Sequence, residues 1–173
     1  MVIWIIGLSG SGKTTLGKEV YKQLKEKDSA TVFIDGDEIR EIFKYDQSDA
    51  AYTIKGRKKN ADRICELCAW LDRQNINVVC CILSIFEESR IWNKKTFSSY
   101  FEIFIEADIN YLIENRDYKL IYQKAKKGLM KNVVGIDIPF QKPDNPNLVL
   151  DCKTAKENIS KVAKEIITRV NFK

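Results

Sequence analysis

Apolar residues fall along this chain in two alternating kinds of segment. Val2-Ile3-Trp4-Ile5-Ile6 is a continuous apolar run, as expected of a strand buried on both faces, and Asn77-Val78-Val79-Cys80-Cys81-Ile82-Leu83 repeats the pattern. Thr31-Val32-Phe33-Ile34, Phe101-Glu102-Ile103-Phe104-Ile105 and Leu148-Val149-Leu150 are shorter runs that read as further strands. Between them the period changes to that of a helix. Thr15 to Leu24 is helical and fades into the polar stretch Lys25 to Ser29; Glu38 to Phe43 is a short helix. A long helix runs from about Arg57 to Gln74, with Ile64, Leu67, Cys68 and Leu71 on one face. Others follow at Glu87 to Lys95, Ile109 to Asn115 and, as an amphipathic close, Thr154 to Val170. Lys44 to Lys55 reads as a polar, tyrosine-bearing loop, and Pro139 to Pro146 as a proline-rich connection. The charged stretch Arg116 to Phe140 reads as a lid, helical near Leu120 to Lys127, with Gly128 and Gly135 as hinges. Strands alternating with helices predict an α/β fold with a doubly wound, five-stranded parallel sheet. No repeat or linker interrupts it, so residues 1–173 read as a single domain.

Composition narrows this picture only a little. At 45% hydrophobic and 31% charged residues the chain is ordinary for a soluble globular protein, and its net charge of +5 is mild. Such a charge suits a polyanionic small molecule, and no dense Lys/Arg block with interleaved aromatics points to nucleic acid. Lys124, Lys126, Lys127 and Lys131 form the nearest approach to a basic cluster, and read as well as the polar face of a short helix. No apolar run approaches membrane-spanning length and no leader precedes the first strand, so a cytoplasmic protein with no membrane partner is expected. The five cysteines are then reduced thiols. Cys65-x-x-Cys68 with Cys80-Cys81 resembles a zinc set on paper, but neighbours on a strand point to opposite faces and the chain has no histidine. Buried thiols are the better reading. The lack of histidine also excludes Ser-His-Asp and Cys-His catalysis, leaving carboxylate or lysine for any proton transfer.

The chemistry concentrates directly after the first strand. Gly7-Leu8-Ser9-Gly10-Ser11-Gly12-Lys13-Thr14 fits G-x-x-x-x-G-K-[ST], the phosphate-binding P-loop. Gly7, Gly10 and Gly12 let the backbone curl so that N–H groups, with Ser9, Ser11 and Thr15 among their carriers, converge on a phosphate. Lys13 supplies charge at the β/γ-phosphates, Thr14 is a Mg²⁺ ligand, and the following helix aims its positive end at the anion. An accidental Gly-Lys-Thr in a turn is the alternative, and the strand before it and helix after it argue against that. A nucleoside triphosphate with Mg²⁺ is therefore expected. Asp35-Gly36-Asp37 ends the second strand at the sheet edge where ligands bind. The third strand ends at Ser84 with no acid, so the Mg²⁺-organising duty falls to Asp35 or Asp37. One acid would take the acceptor's proton or hold the metal's waters, the other would hold the acceptor's sugar, and the sequence leaves the division open. Asp37 as a plain N-cap for the helix at Glu38 is the structural alternative. Arg40, Arg57, Asn60 and Arg63 lie on segments that would wall an acceptor pocket suited to a diphosphate-like, multiply anionic acceptor, with Arg63 reading equally as a solvated side chain.

These motifs resemble, in order, those of the adenylyl-sulfate kinase family: the P-loop through Thr15, Ile34-Asp35-Gly36-Asp37-x-x-Arg40, Arg57-Lys58-x-Asn60-x-x-Arg63-x-x-Glu66, Arg116-Asp117-x-Lys119-x-x-Tyr122-x-Lys124-Ala125 and Gly135-Ile136-Asp137-x-Pro139. The similarity spans nearly the whole chain. It implies a P-loop, nucleotide-kinase-like fold and phosphorylation of a ribose 3′-hydroxyl with MgATP, by a homodimer. It further implies Asp35 as the catalytic carboxylate, with Lys13 beside it and Thr14 and Asp35 at the metal. By the same resemblance Asp37, Arg40, Arg57, Asn60, Leu83, Ser84 and the lid's Lys119 hold the acceptor, and Arg116 lies near the ATP adenine. The departures fall on the acceptor side. Where the family has Ile-Ser-Pro followed by an aromatic and Arg, this chain has Leu83-Ser84-Ile85-Phe86-Glu87. Tyr118, Leu120 and Ile121 change the family's Arg-Asp-Pro-Lys-Gly-Leu-Tyr, and Val133-Val134 replace Phe-Thr, removing a ring that packs on the acceptor's adenine in the family. The acceptor favoured by these changes is the cytidine diphosphoramidate of a branch involved in bacterial capsule decoration, with adenylyl sulfate the alternative. A P-loop regulatory module that switches on hydrolysis would not need the Asp-Gly-Asp pair or the cationic pocket, and a nucleic-acid end kinase would need an extended basic groove.

Overall fold

The computed structural model describes residues 1–45 and 48–170. Asp46 and Gln47, within the tyrosine-bearing loop, lie outside the described residues. Five strands, β1 (Val2–Ile6), β2 (Thr31–Asp35), β3 (Asn77–Ile82), β4 (Tyr100–Glu106) and β5 (Leu148–Asp151), form one sheet in the order β2-β3-β1-β4-β5, every pairing parallel. All five residues of β1 and all six of β3 are buried, as their unbroken apolar runs require. Alternate side chains feed two layers. Val2, Trp4, Ile6, Val78 and Cys80 face one side, where α3 (Ile54–Asp72) presents Ile64, Cys65 and Cys68 and α4 (Glu87–Thr96) presents Trp92. Ile3, Ile5, Val79 and Cys81 face the other, under Leu16, Val20 and Leu24 of α1 (Lys13–Lys27) and Ala163, Ile166 and Ile167 of α8 (Ile159–Arg169). Cys80 and Cys81 are thus divided between the layers, and all five cysteines are free and buried.

Several boundaries differ from the sequence reading. The short helix α2 (Gly36–Ile42) begins at Gly36 because Asp35 caps it, its Oδ1 accepting the Asp37 amide at 2.9 Å. The Lys44 to Lys55 loop contains a 3-10 turn at Asp49–Tyr52, and α3 starts three residues before Arg57, where the Thr53 hydroxyl accepts the Gly56 amide. The closing helix is two: α7 (Cys152–Glu157) starts at the Asp151 cap, and non-helical dihedrals at Asn158 separate it from α8. In the lid region α5 (Ile109–Asn115) is capped by Asp108 and followed by α6 (Ile121–Lys126). A third apolar cluster of Leu8, Leu112, Tyr122, Val133, Val134 and Ile138 fastens this region to the P-loop. Among the described residues no helix is long and apolar enough to cross a membrane.

Candidate active site

The parallel register brings three carboxyl ends to one edge. Ile6 pairs with Ile82 and Asp35 with Cys81, so the P-loop, the Asp35-Gly36-Asp37 turn and Leu83-Ser84 emerge side by side. The loop's glycines are there for two separate reasons. Gly10 and Gly12 have φ of +79° and +100°, a region costly for any residue with a Cβ. At Gly7 the obstacle is space: a Cβ would come 2.6 Å from Ser11 Oγ and 2.9 Å from the Ile105 carbonyl oxygen. The Ser11 hydroxyl is buried with no hydrogen-bond partner among the described residues. A curled backbone with an unspent hydroxyl at its centre fits a phosphate. The Lys13 ammonium meanwhile donates to the Leu8 carbonyl at 2.7 Å. Burial pushes Lys13 below its ordinary value, against Cys81, Asp37 and Asp35, which pull it up. Thr15 is exposed at the start of α1, and the Ser9 carbonyl accepts the Tyr122 hydroxyl at 2.8 Å, tying the loop to the lid region.

Across the cleft Thr14 Oγ1 donates to Asp35 Oδ2 at 2.7 Å. Paired hydroxyl and carboxylate oxygens next to a phosphate cradle are a donor set suited to Mg²⁺. Asp35 is buried, whereas Asp37 is exposed and accepts from Arg40 Nη1 at 3.0 Å. The alternative of Asp37 as the helix cap is thereby replaced: Asp35 caps α2, and Asp37 pairs with Arg40. The cationic wall comes together around a residue that the motifs do not single out. Arg40 and Arg57 carry their guanidinium carbons 5.0 and 5.7 Å from the centre of the Tyr52 ring. Arg57 donates Nε to the Tyr52 carbonyl and Nη2 to the Asn132 carbonyl, both at 2.8 Å, so it clips the lid region to α3. Burial lowers the Arg57 guanidinium and Arg40 adds to the effect, with Asp37, Tyr52 and Asp137 opposing. Asn60 is buried beneath the cleft floor, donating to the Gly36 carbonyl at 3.3 Å. Arg63, by contrast, stacks between Phe43 and Tyr45 in an outer groove of α3.

Leu83 packs against the third cluster and Ser84 is buried behind it. Arg116 reaches the P-loop from α5: its carbonyl oxygen lies 3.0 Å from where a Gly10 Cβ would stand, and Nη1 lies 3.9 Å from that of Gly12. Tyr111, Arg116, Lys153 and Glu157 line a recess of about 410 Å³ there, with Lys153 Nζ 4.5 Å from the Tyr111 ring centre. No motif marks Tyr111, Lys153 or Tyr52, because Tyr111 meets Lys153, and Tyr52 meets Arg40, across separate elements. Lys119 stands on the exposed turn before α6. Of the two hinge glycines, Gly128 has open space around it, but Gly135 is pinned. A Cβ there would sit 2.7 Å from Ile109 Cδ1, and its amide donates to the Ile138 carbonyl at 2.7 Å. The Asp137 carboxylate closes this turn by accepting the Asn132 and Val133 amides.

Known proteins resemble this chain in sequence and in fold. The sequence profile of a family described as adenylylsulphate kinase matches residues 1–151. The chain is 37% identical over 169 residues, 98% of its length and 95% of the relative's, to the cytidine diphosphoramidate kinase of Campylobacter jejuni. It is 34% identical over 164 residues, covering 94% of this chain and 86% of the other, to the adenylyl-sulfate kinase of Halothermothrix orenii. Among solved structures, the APS kinase of Mycobacterium tuberculosis in complex with AMPPNP and APS superposes with a TM-score of 0.81 at 29% identity, over 96% of this chain and 95% of that one.

Proposed function

Because this chain belongs to the adenylylsulphate kinase family, and is thus a phosphotransferase acting on a hydroxyl group, we propose that it phosphorylates the ribose 3′-hydroxyl of cytidine diphosphoramidate with MgATP. The observation that carries the choice of acceptor is the direction taken by Val133. Where the family pattern has a ring for the acceptor base, Val133 is 5% exposed and packs into the cluster beneath the lid region. Tyr52, held between Arg40 and Arg57, is the ring that remains on the acceptor wall. One platform suits a pyrimidine better than a purine, and each base stack lost is worth about 1–3 kcal/mol. The likeness to the Campylobacter enzyme favours the same acceptor.

The residues divide the work as follows. The P-loop amides and Ser11 hold the triphosphate, and Lys13 exchanges its bond to the Leu8 carbonyl for one to the β/γ-phosphates. Thr14 and Asp35 would hold Mg²⁺, which would neutralise phosphate charge there. Asp35 takes the acceptor's proton as its oxygen bonds to the γ-phosphorus and ADP departs, while Asp37 and Arg40 orient the sugar and phosphates. Arg57, Asn60, Leu83, Ser84 and Lys119 complete the acceptor side, and the Tyr111–Arg116–Lys153 recess takes the ATP base. A coupled ADP-release assay tests the reading. The cytidine compound is expected to exceed adenylyl sulfate in kcat/KM by about tenfold or more; a preference for adenylyl sulfate overturns the choice.

A further inference from the structure

Beyond β3 the chain turns at Ser84, whose φ is +49°. A residue with a Cβ keeps that left-handed conformation only where its surroundings impose it. Two buried side chains do so here. Arg90, in α4, donates Nη1 to the Ser84 carbonyl at 3.2 Å, and Trp4, from the middle of β1, donates Nε1 to Ser84 Oγ at 3.4 Å. Arg90 is 4% exposed, and none of the ion pairs found among the described residues includes it. A guanidinium buried without a carboxylate in contact is a destabilising arrangement that an apolar side chain on α4 would avoid. A buried carboxylate lies beside Tyr100, on which the Arg90 charge also acts. Glu102, which pairs in register with Trp4, is 1% exposed and accepts the Tyr100 hydroxyl at 2.5 Å. Burial and then Glu102 push the Tyr100 phenol well above its ordinary value, and the Arg90 charge pulls the other way. Arg90 therefore sits in a buried charge network behind the cleft, and the group it grips is the backbone of the loop at the rim.

We propose that Arg90 is a positioning residue for the acceptor: by holding the Ser84 carbonyl it fixes the left-handed turn that sets Leu83 and Ser84 at the cleft. The inference rests on reading those two residues as acceptor-lining. With the hold removed, the turn relaxes toward ordinary dihedrals and the acceptor side of the cleft loses its shape, while the P-loop, built on β1 and α1, does not.

Two measurements test this. The first is hydrogen exchange, which needs no acceptor: Arg90→Met is expected to speed exchange of the Ser84 to Phe86 amides, leaving those of Gly10 to Lys13 unchanged. The second is steady-state kinetics with cytidine diphosphoramidate and adenylyl sulfate in turn. Arg90→Met should raise the acceptor KM about tenfold while the ATP KM stays within about twofold, and Arg90→Lys should recover part of the loss. In a Ser84→Gly background, where positive φ carries no strain, Arg90→Met should raise the acceptor KM by about threefold at most. Equal losses in both backgrounds, parallel changes in both KM values, or unchanged exchange at Ser84 to Phe86 overturn the proposal. If Arg90→Met does not fold, Arg90→Lys and Trp4→Phe carry the same comparison. Should the wild-type protein turn over neither acceptor, the proposed function fails and the exchange result still decides the role of Arg90.

Discussion

At Asp35 each carboxylate oxygen has its own partner, Oδ1 the Asp37 amide and Oδ2 the Thr14 hydroxyl. Asp35→Asn keeps one acceptor oxygen, enough for the Asp37 amide, puts an NH2 donor opposite the Thr14 hydroxyl and loses the charge. It should lower kcat by on the order of 10²–10⁴-fold with ATP affinity changed by about threefold at most, read by single-turnover kinetics and a nucleotide-binding titration. Near-normal turnover would remove Asp35 from the chemistry. The placing of the P-loop and of this acid at one sheet edge was legible from the sequence, because each is written in adjacent residues at fixed spacing. Tyr52 was not, since its place depends on Arg40 from α2 and Arg57 from α3 converging on one ring. The two positive-φ glycines of the lid region also part company only in three dimensions. Gly128→Ala meets open space and should cost about 1 kcal/mol of backbone strain. Gly135→Ala adds a clash with Ile109 and should cost about 2–3 kcal/mol, visible as a larger fall in urea midpoint.

Elements meet the expected order closely and their ends less so, for a consistent reason. The caps that set the ends, Asp35, Thr53, Asp108 and Asp151, are single side chains whose competition with neighbouring candidates periodicity does not resolve. The lid region shows another limit. Its charge and glycines read as mobile, yet Val133, Val134 and Ile138 bury themselves against Leu8 and Tyr122, and Arg57 bonds the Asn132 carbonyl. Arg57→Lys cannot reach both the Tyr52 and Asn132 carbonyls as the guanidinium does. Trypsin should therefore cut at Lys131 about fivefold faster in that variant, by way of local opening. An unchanged rate would mean that the apolar cluster alone holds the segment.

Over the whole molecule, the two layers flanking the sheet enclose every thiol, and this sets an alkaline limit. Burial, with Cys68 and Asp62 adding to it, raises Cys65 from 9.0 to about 12. The unfolded chain then releases its proton first, so the stability is intact below pH 9 and falls as pH rises toward 12. Each such thiol steepens the loss by about 1.4 kcal/mol per pH unit, and Cys65→Ala should flatten urea midpoints measured between pH 9 and 11. The sheet order has a consequence for how the protein is made. β1, which carries the P-loop, pairs with β3 at Asn77–Ile82 and β4 at Tyr100–Glu106, and with no strand nearer in sequence. During synthesis β1 must wait for more than seventy further residues before either neighbour exists. Until then β1, apolar at all five positions, has both edges open, the kind of exposed strand that pairs with another chain.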